Sequence, residues 1–247
     1  MADWQHSPGV ALIPHFTQPV PHWQGGIAAG TVLLPDYEGA ASMRFAPVAA
    51  AELRYRDIAY LSTSEGIGYN LFRGRSYRIG SSLGYDIGRK QKRSPALDGL
   101  GNIDAGPELR FYAEKVWFPV VLRASTRHTL DGRTGWSADF AAYLPVAGAS
   151  NYLVLLGPSL AVADGAANQR RFGVSAPQAA ASGLPEHRAG GGFRSASLGF
   201  SATYFFDANW FGNATGSVQR LMGAAGSSPL VQQRTQTSLL LVAGYRW

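Results

Sequence analysis

The feature that most constrains this chain is a two-residue alternation of apolar and small polar side chains, repeated in stretch after stretch. It is plainest at the C-terminal end, Thr237-Ser-Leu-Leu-Leu-Val-Ala-Gly-Tyr-Arg-Trp247. Counting back in twos from Trp247 gives Tyr245, Ala243, Leu241, Leu239 and Thr237; the other parity gives Arg246, Gly244, Val242, Leu240 and Ser238. A strand has period two, so one face is apolar and aromatic and the other is mixed and small. The last strand of a bacterial outer-membrane barrel has this form, with its terminal aromatic at the membrane interface. The competing reading is the buried last strand of a soluble sandwich, which alternates as well.

The polar parity separates the two. In 192–206, Ala196, Leu198, Phe200, Ala202, Tyr204 and Phe206 oppose Ser195, Ser197, Gly199, Ser201, Thr203 and Phe205. In 209–221, Trp210, Gly212, Ala214, Gly216 and Val218 oppose Phe211, Asn213, Thr215, Ser217 and Gln219. The same split runs through 135–145 and 105–115, where every charge falls on the non-apolar parity. A charge facing lipid costs about 2–4 kcal/mol at mid-bilayer. The polar parity is Ser, Gly, Thr and Asn rather than Lys and Glu. That describes a crowded lumen, not a solvated surface.

Composition agrees. Charged residues make up 15%, there are 30 glycines and no cysteine, and mean hydropathy is −0.07. Alternating strands average to such a value, and neither a disulfide framework nor a thiolate metal site is possible. The formal net charge of +6 is spread over loops and strand interiors, so no nucleic-acid face is expected. Met1-Ala-Asp-Trp lacks the basic start and apolar core of a signal peptide, so the chain reads as a mature form with an added initiator Met. Phe140 to Ala163 is uncharged and long enough to span as a helix. Pro145, Gly148, Ser150, Asn151, Gly157 and Pro158 make it two strands and a turn instead.

Residues 1–22 form an irregular Pro-rich segment; His6, His15 and His22 within it set no metal geometry. Residues 23–247 form an all-β transmembrane antiparallel barrel of about twelve strands, with ten as the alternative. The strands are expected at 24–34, 47–55, 57–63, 66–73, 76–88, 105–115, 117–128, 135–145, 151–163, 192–206, 209–221 and 236–247. Tight connections alternate with long ones, as periplasmic turns and external loops do. The segment 57–73 is read as two strands because one would invert that alternation halfway.

The loops carry a resemblance. They include Pro35-Asp-Tyr37-Glu-Gly39, Gly88-Arg89, and Leu97-Asp-Gly99-Leu-Gly-Asn-Ile-Asp104. Further on come Phe172-Gly173-Val-Ser-Ala-Pro-Gln178, Ser182-Gly183-Leu-Pro185 and Ser228-Pro229-Leu-Val231. In this order they resemble the MipA/OmpV family of outer-membrane proteins; the terminal Trp stands where Phe is more usual. The resemblance implies a barrel with a scaffolding role between a lytic transglycosylase and a bifunctional penicillin-binding protein, or a role as an adhesin. It supplies no catalytic residues and no cofactor. It also implies that Tyr245 and Trp247 form the assembly signal.

Three sets of side chains bear on function. Arg78, Asp86, Glu108, Arg110, Glu114, Arg123, Arg127 and Asp139 share the lumen parity of neighbouring strands, as a filling of cross-strand ion pairs or a pore lining. A small barrel is usually filled by its own side chains. Arg89-Lys90-Gln-Lys92-Arg93 is the densest basic run and is expected to meet lipopolysaccharide phosphates outside the membrane. His128 stands near Ser125 but on the opposite parity, so the pair is not a nucleophile with its base. The reading is a non-enzymatic scaffold of the cell envelope, contacting outer-membrane lipid and lipopolysaccharide, with periplasmic murein enzymes as partners. A small-solute channel is the alternative, ahead of a lipid-acting enzyme.

Overall fold

The computed structural model describes residues 20–130 and 135–247. The Pro-rich segment, with His6 and His15, lies outside the described residues except for its last three positions. Twelve strands follow in order: β1 (Trp23–Pro35), β2 (Met43–Tyr55), β3 (Ala59–Ser62), β4 (Gly66–Arg73), β5 (Tyr77–Asp86), β6 (Gly106–Trp117), β7 (Val120–Thr129), β8 (Trp136–Ala149), β9 (Tyr152–Ala163), β10 (Gly192–Phe205), β11 (Trp210–Leu221) and β12 (Thr235–Arg246). Each pairs antiparallel with its predecessor, and β12 returns to β1 from Gly26↔Arg246 to Leu33↔Leu239, closing the barrel. Closure leaves no sheet edge around the lower wall, as lipid requires. No helix among the described residues is long and apolar enough to cross a membrane.

The alternation resolves as an inside-out barrel. On β10, Leu198 is 54% exposed while Ser201 is 1% exposed. On β11, Trp210 and Val218 face out, whereas Asn213, Thr215 and Ser217 are buried. Asn213 Nδ2 donates to Ser201 Oγ (2.9 Å) and Thr203 Oγ1 (3.0 Å), so the small polar parity satisfies itself in the lumen. A sandwich would bury the other parity. Exposed Trp23, Trp117, Phe118, Phe206, Trp210 and Trp247 ring the end that carries the short turns and the C-terminus. This is the aromatic belt of a membrane interface.

Two strand boundaries differ by four residues from the sequence expectation, and the others by three or fewer. β2 begins at Met43 rather than 47, and β8 runs to Ala149 rather than 145, past a register shift between Pro145 and Ala147. Pro47 lies inside β2, where a proline removes a ladder bond. Here its side of β2 has no ladder to break. Even-numbered β2 residues turn their backbone towards β1, as the bond from Arg56 N to His22 O continues. Odd-numbered ones turn towards β3, as Ala51 does with Thr63. The β2–β3 ladder stops at Glu52↔Ser62, and residues 43–50 pair with β1 alone among the described residues.

This leaves a notch. β3 and β4 have four and eight residues, short of the roughly 9–11 that a tilted strand needs to span. β5 pairs with β4 only up to Leu83↔Ile67. The 63–65 tip turns inwards, where Ser64 O accepts from Arg110 Nη1 (2.7 Å) and Glu65 pairs with Arg123. Above that tip, no strand among the described residues bridges β2 and β5.

The loops at the opposite end from the termini fold into a cap. The 164–191 connection, expected as a plain loop, contains α1 (Gly165–Phe172) and α2 (Ala176–Ser182); α3 (Gly223–Gly226) lies before β12. Asp164 caps α1 by accepting from Ala167 N (2.8 Å). Ser175 and Gln178 form a capping box on α2. Leu97, Leu100, Val174, Leu230, Tyr37 and Ala40 make one buried cluster, and Phe172, Ala189, Leu221 and Ala225 another. Each fully buried Leu or Phe contributes about 1.5–3 kcal/mol. The cap therefore has a core of its own.

Candidate functional site

The lumen divides into a filled periplasmic half and a hollow extracellular half. In the lower half, register places Glu114 of β6 opposite both Arg78 of β5 and Arg123 of β7. The Arg78 and Arg123 guanidiniums reach it at 3.2 and 2.9 Å. Each has a second carboxylate, Asp57 for Arg78 (2.7 Å) and Glu65 for Arg123. Arg54 pairs with Glu52, and Tyr112 donates to Asn70 Oδ1. Sequence reasoning missed Asp57 and Glu65, which sit in the turns on either side of the short β3, and Glu52 and Arg54 at the end of β2 beside it. A void of about 20 Å³ lies in this lattice, room for about one water.

Higher up, Arg127 pairs with Asp139, and Arg110 pairs with Glu108 at 2.7 Å. The Arg110–Glu108 pair runs along one strand, not across two as expected. Opposite Arg110 in the ladder stands Arg127, so the next carboxylate is its own neighbour two residues back. Asp86 was expected to pair within the wall. Instead it holds Arg170 and Arg171 of α1, each at 2.9 Å. The capping box at Ser175-Ala-Pro-Gln178 and the cap at Asp164 were legible signs of those helices.

Between lattice and cap lies a cavity of about 280 Å³, lined by seven arginines and four carboxylates. Arg194 lies 3.9 Å from Glu38, and its Nε has no hydrogen-bond partner among the described residues. Arg89 is the main correction to the surface expectation. It is 9% exposed and donates through Nη1 to the Arg171 carbonyl (2.9 Å). Gly88 at φ +65° and the Arg89↔Ile103 bridge turn it inwards; a Cβ on Gly88 would sit 2.1 Å from Ile103 O. Burial, and then the Arg171 charge, pull Arg89 down to about 10, so it stays charged at neutral pH. Lys90 and Lys92 are exposed and Arg93 is half-buried at the cavity edge.

The loop motifs converge in the cap. The Tyr37 hydroxyl donates to Leu230 O (3.0 Å), Gly39 N to Gln236 Oε1 (3.0 Å), and Ser228 Oγ to Phe172 O (2.6 Å). Pro35 ends β1 opposite Met43, and Pro229 lies in the turn before Leu230. Asp104 O accepts from Arg170 Nη2 (3.0 Å). Gly99, at φ +81°, lies where a Cβ would meet Ala181 C at 2.6 Å, so loop 97–104 seats on α2. Gly183 ends α2 in the left-handed region, Ser182 Oγ donates to Gln178 O, and Gly173 follows α1. Most of these side chains build the roof and are not displayed.

Ser125 is buried in the lumen, while His128 stacks on Trp136 at 4.3 Å on the lipid side. At the seam, Trp247 N donates to Gly25 O (3.0 Å) and Gly25 N to Trp247 O (3.2 Å). Tyr245 lies edge-on to Trp210 with centroids 5.2 Å apart.

The family model described as MltA-interacting protein MipA matches residues 27–247. The chain belongs to the MipA family. It is an outer-membrane β-barrel of that family. No curated protein matches it. Solved structures similar to it include the COG4313 outer membrane channel from Pseudomonas putida F1, at 11% identity over 95% of this chain and 99% of that one, with a TM-score of 0.45. Another is OmpF of Salmonella typhi, at 8% identity over 91% and 97%, with a TM-score of 0.39.

Proposed function

We propose that this MipA-family barrel is a non-enzymatic scaffold that holds a murein-acting enzyme at the periplasmic face of the outer membrane. The observation that carries this is the filled lower lumen. The Arg78–Glu114–Arg123 lattice sets paired side chains into the lower lumen, which supports a filled barrel over a solute path. The family description supplies the partner class, since it names an interaction with MltA. Ser125 and His128 on opposite faces argue against hydrolysis.

The periplasmic turns are short. Arg73, in the Arg73-Gly-Arg75 turn, already donates to the Arg56 carbonyl. An interface built on such turns alone falls below the roughly 1,200 Å² of a stable complex. Residues 1–22 therefore supply much of the contact. Pull-down of periplasmic murein enzymes with the full chain, and with residues 1–22 removed, tests this. Recovery is expected with the full chain and a large loss without the segment. No partner from either, together with steady conductance in a planar bilayer, would replace the scaffold with a channel.

A further inference from the structure

The cavity beneath the cap and the notch in the wall are one feature. The cavity is lined by lumen side chains such as Arg110 and Arg127, and equally by Thr63, Ser64, Tyr85 and Ile87. Tyr85 and Ile87 are 60% and 59% exposed on the lipid side, while Asp86 between them is buried. The cavity thus reaches a buried residue and both of its outward-facing neighbours, at the stretch where β4 no longer covers the edge of β5.

The chemistry of the two ends differs. Inside, Asp86 is shared by two guanidiniums, and among the described residues Arg89 meets a carbonyl but no carboxylate. Arg89 and Arg194 are nine-tenths buried or more, and their Nε groups have no hydrogen-bond partner among the described residues. Buried guanidiniums short of partners suit a phosphate or carboxylate, which accepts in bidentate fashion. Outside, Phe45 on the free edge of β2 is 75% exposed, and Tyr85 and Ile87, which border the cavity, are exposed too. The free edge of β2 turns the backbone of residues 45, 47 and 49 to the notch, and Pro47 has no N–H to leave unpaired. Unpaired backbone is costly in hydrocarbon, so this edge belongs at a polar headgroup. The cap's buried cluster roofs the cavity. The notch lies on the long-loop side of the wall, towards the outer leaflet.

We infer that the cavity binds the anionic headgroup of an acyl-chain amphiphile, admitted sideways from the outer leaflet between β2 and β5. A space of about 280 Å³ holds a headgroup only; the chains stay in the membrane against Phe45, Tyr85 and Ile87. The inference is independent of the scaffold reading, since a lipid site needs no murein enzyme.

The test uses the full chain refolded in an uncharged detergent. Binding of dioctanoyl phosphatidic acid, dioctanoyl phosphatidylcholine and inorganic phosphate is measured by calorimetry. Saturable binding of phosphatidic acid is expected, at least tenfold tighter than either of the others. Arg89→Ala and Arg171→Ala should each weaken it by about tenfold to a hundredfold, the value of a charged hydrogen bond. Ser64→Trp, at the mouth, should weaken lipid binding and leave phosphate unchanged. Heat-modifiable gel migration checks folding of each variant. If an arginine variant does not fold, half-exposed Arg93→Ala carries the test, with a smaller loss expected. Phosphate binding as tightly as the lipid would overturn sideways access. Lipid binding indifferent to Arg89 and Arg171, or absent, would overturn the site.

Discussion

In the lower lumen one carboxylate, Glu114, stands between Arg78 and Arg123; in the upper lumen one carboxylate, Asp86, stands between Arg170 and Arg171. The surroundings make these similar triads different. Below, Asp57 and Glu65 give each arginine a second partner, so every guanidinium is paired, beside a void with room for one water. Above, among the described residues, Arg89 meets no carboxylate and Arg194 meets Glu38 only at 3.9 Å, around a space of about 280 Å³. Closely paired charge fills a barrel, and loosely paired charge around a hollow is available to a ligand.

The largest test of that contrast is Glu114→Ala. Removing the shared partner leaves two largely buried guanidiniums with one carboxylate each, and breaking a buried pair costs about 3–5 kcal/mol. The urea midpoint of the refolded barrel should fall accordingly. A loss under about 1 kcal/mol would show that the lattice is wet, which would return the channel to consideration.

The cap comes next. Leu97 is fully buried in the cluster with Tyr37, Val174 and Leu230. Leu97→Ala should cost about 2 kcal/mol, the low end for a buried leucine, because a surface cap can partly collapse. Faster proteolysis confined to 87–105 and 164–191, with the barrel intact, is the expected readout. Simultaneous loss of barrel and cap would show that the roof and the wall form one cooperative unit.

Much of the barrel was legible because the alternation is a property of single strands. Ser201, Thr203 and Asn213 announced a lumen before any pairing was known. The short β3 and β4 were read as a strand pair, but not the notch above them. A wall gap depends on how far neighbouring strands climb, and no one strand's pattern encodes that. Arg89 was misread for a related reason. Its run of basic neighbours suggests a surface, whereas Gly88 and a single bridge to Ile103 decide its direction. Arg170 and Arg171 were missed because α1 lies in a connection with no strand periodicity.

Arg171→Ala probes the upper half in the opposite sense from Glu114→Ala. Asp86 keeps Arg170, and Arg89 loses the repulsion of a nearby cation. Stability in the absence of lipid should change by less than about 1 kcal/mol, and a gain is as consistent with charge excess as no change. A loss as large as that of Glu114→Ala would mean the upper triad is filling too, and the contrast between the halves would fail.

The smallest expected effect divides the basic run itself. Arg89, Lys90 and Lys92 are close in sequence, yet Arg89 faces the cavity while the two lysines are exposed to solvent. An exposed ammonium is screened within about 8–10 Å at ordinary ionic strength. Lys90→Ala and Lys92→Ala should therefore leave stability within about 0.5 kcal/mol of the parent. They should also leave phosphatidic acid affinity within twofold in 0.15 M salt, while Arg89→Ala lowers it. The same calorimetric titration at lower salt sharpens the point. If the run acted as one surface patch for phosphates, the two lysine variants would lose affinity as salt is reduced and Arg89→Ala would be no worse than they are. That result would move the anion site from the cavity back to the outer surface.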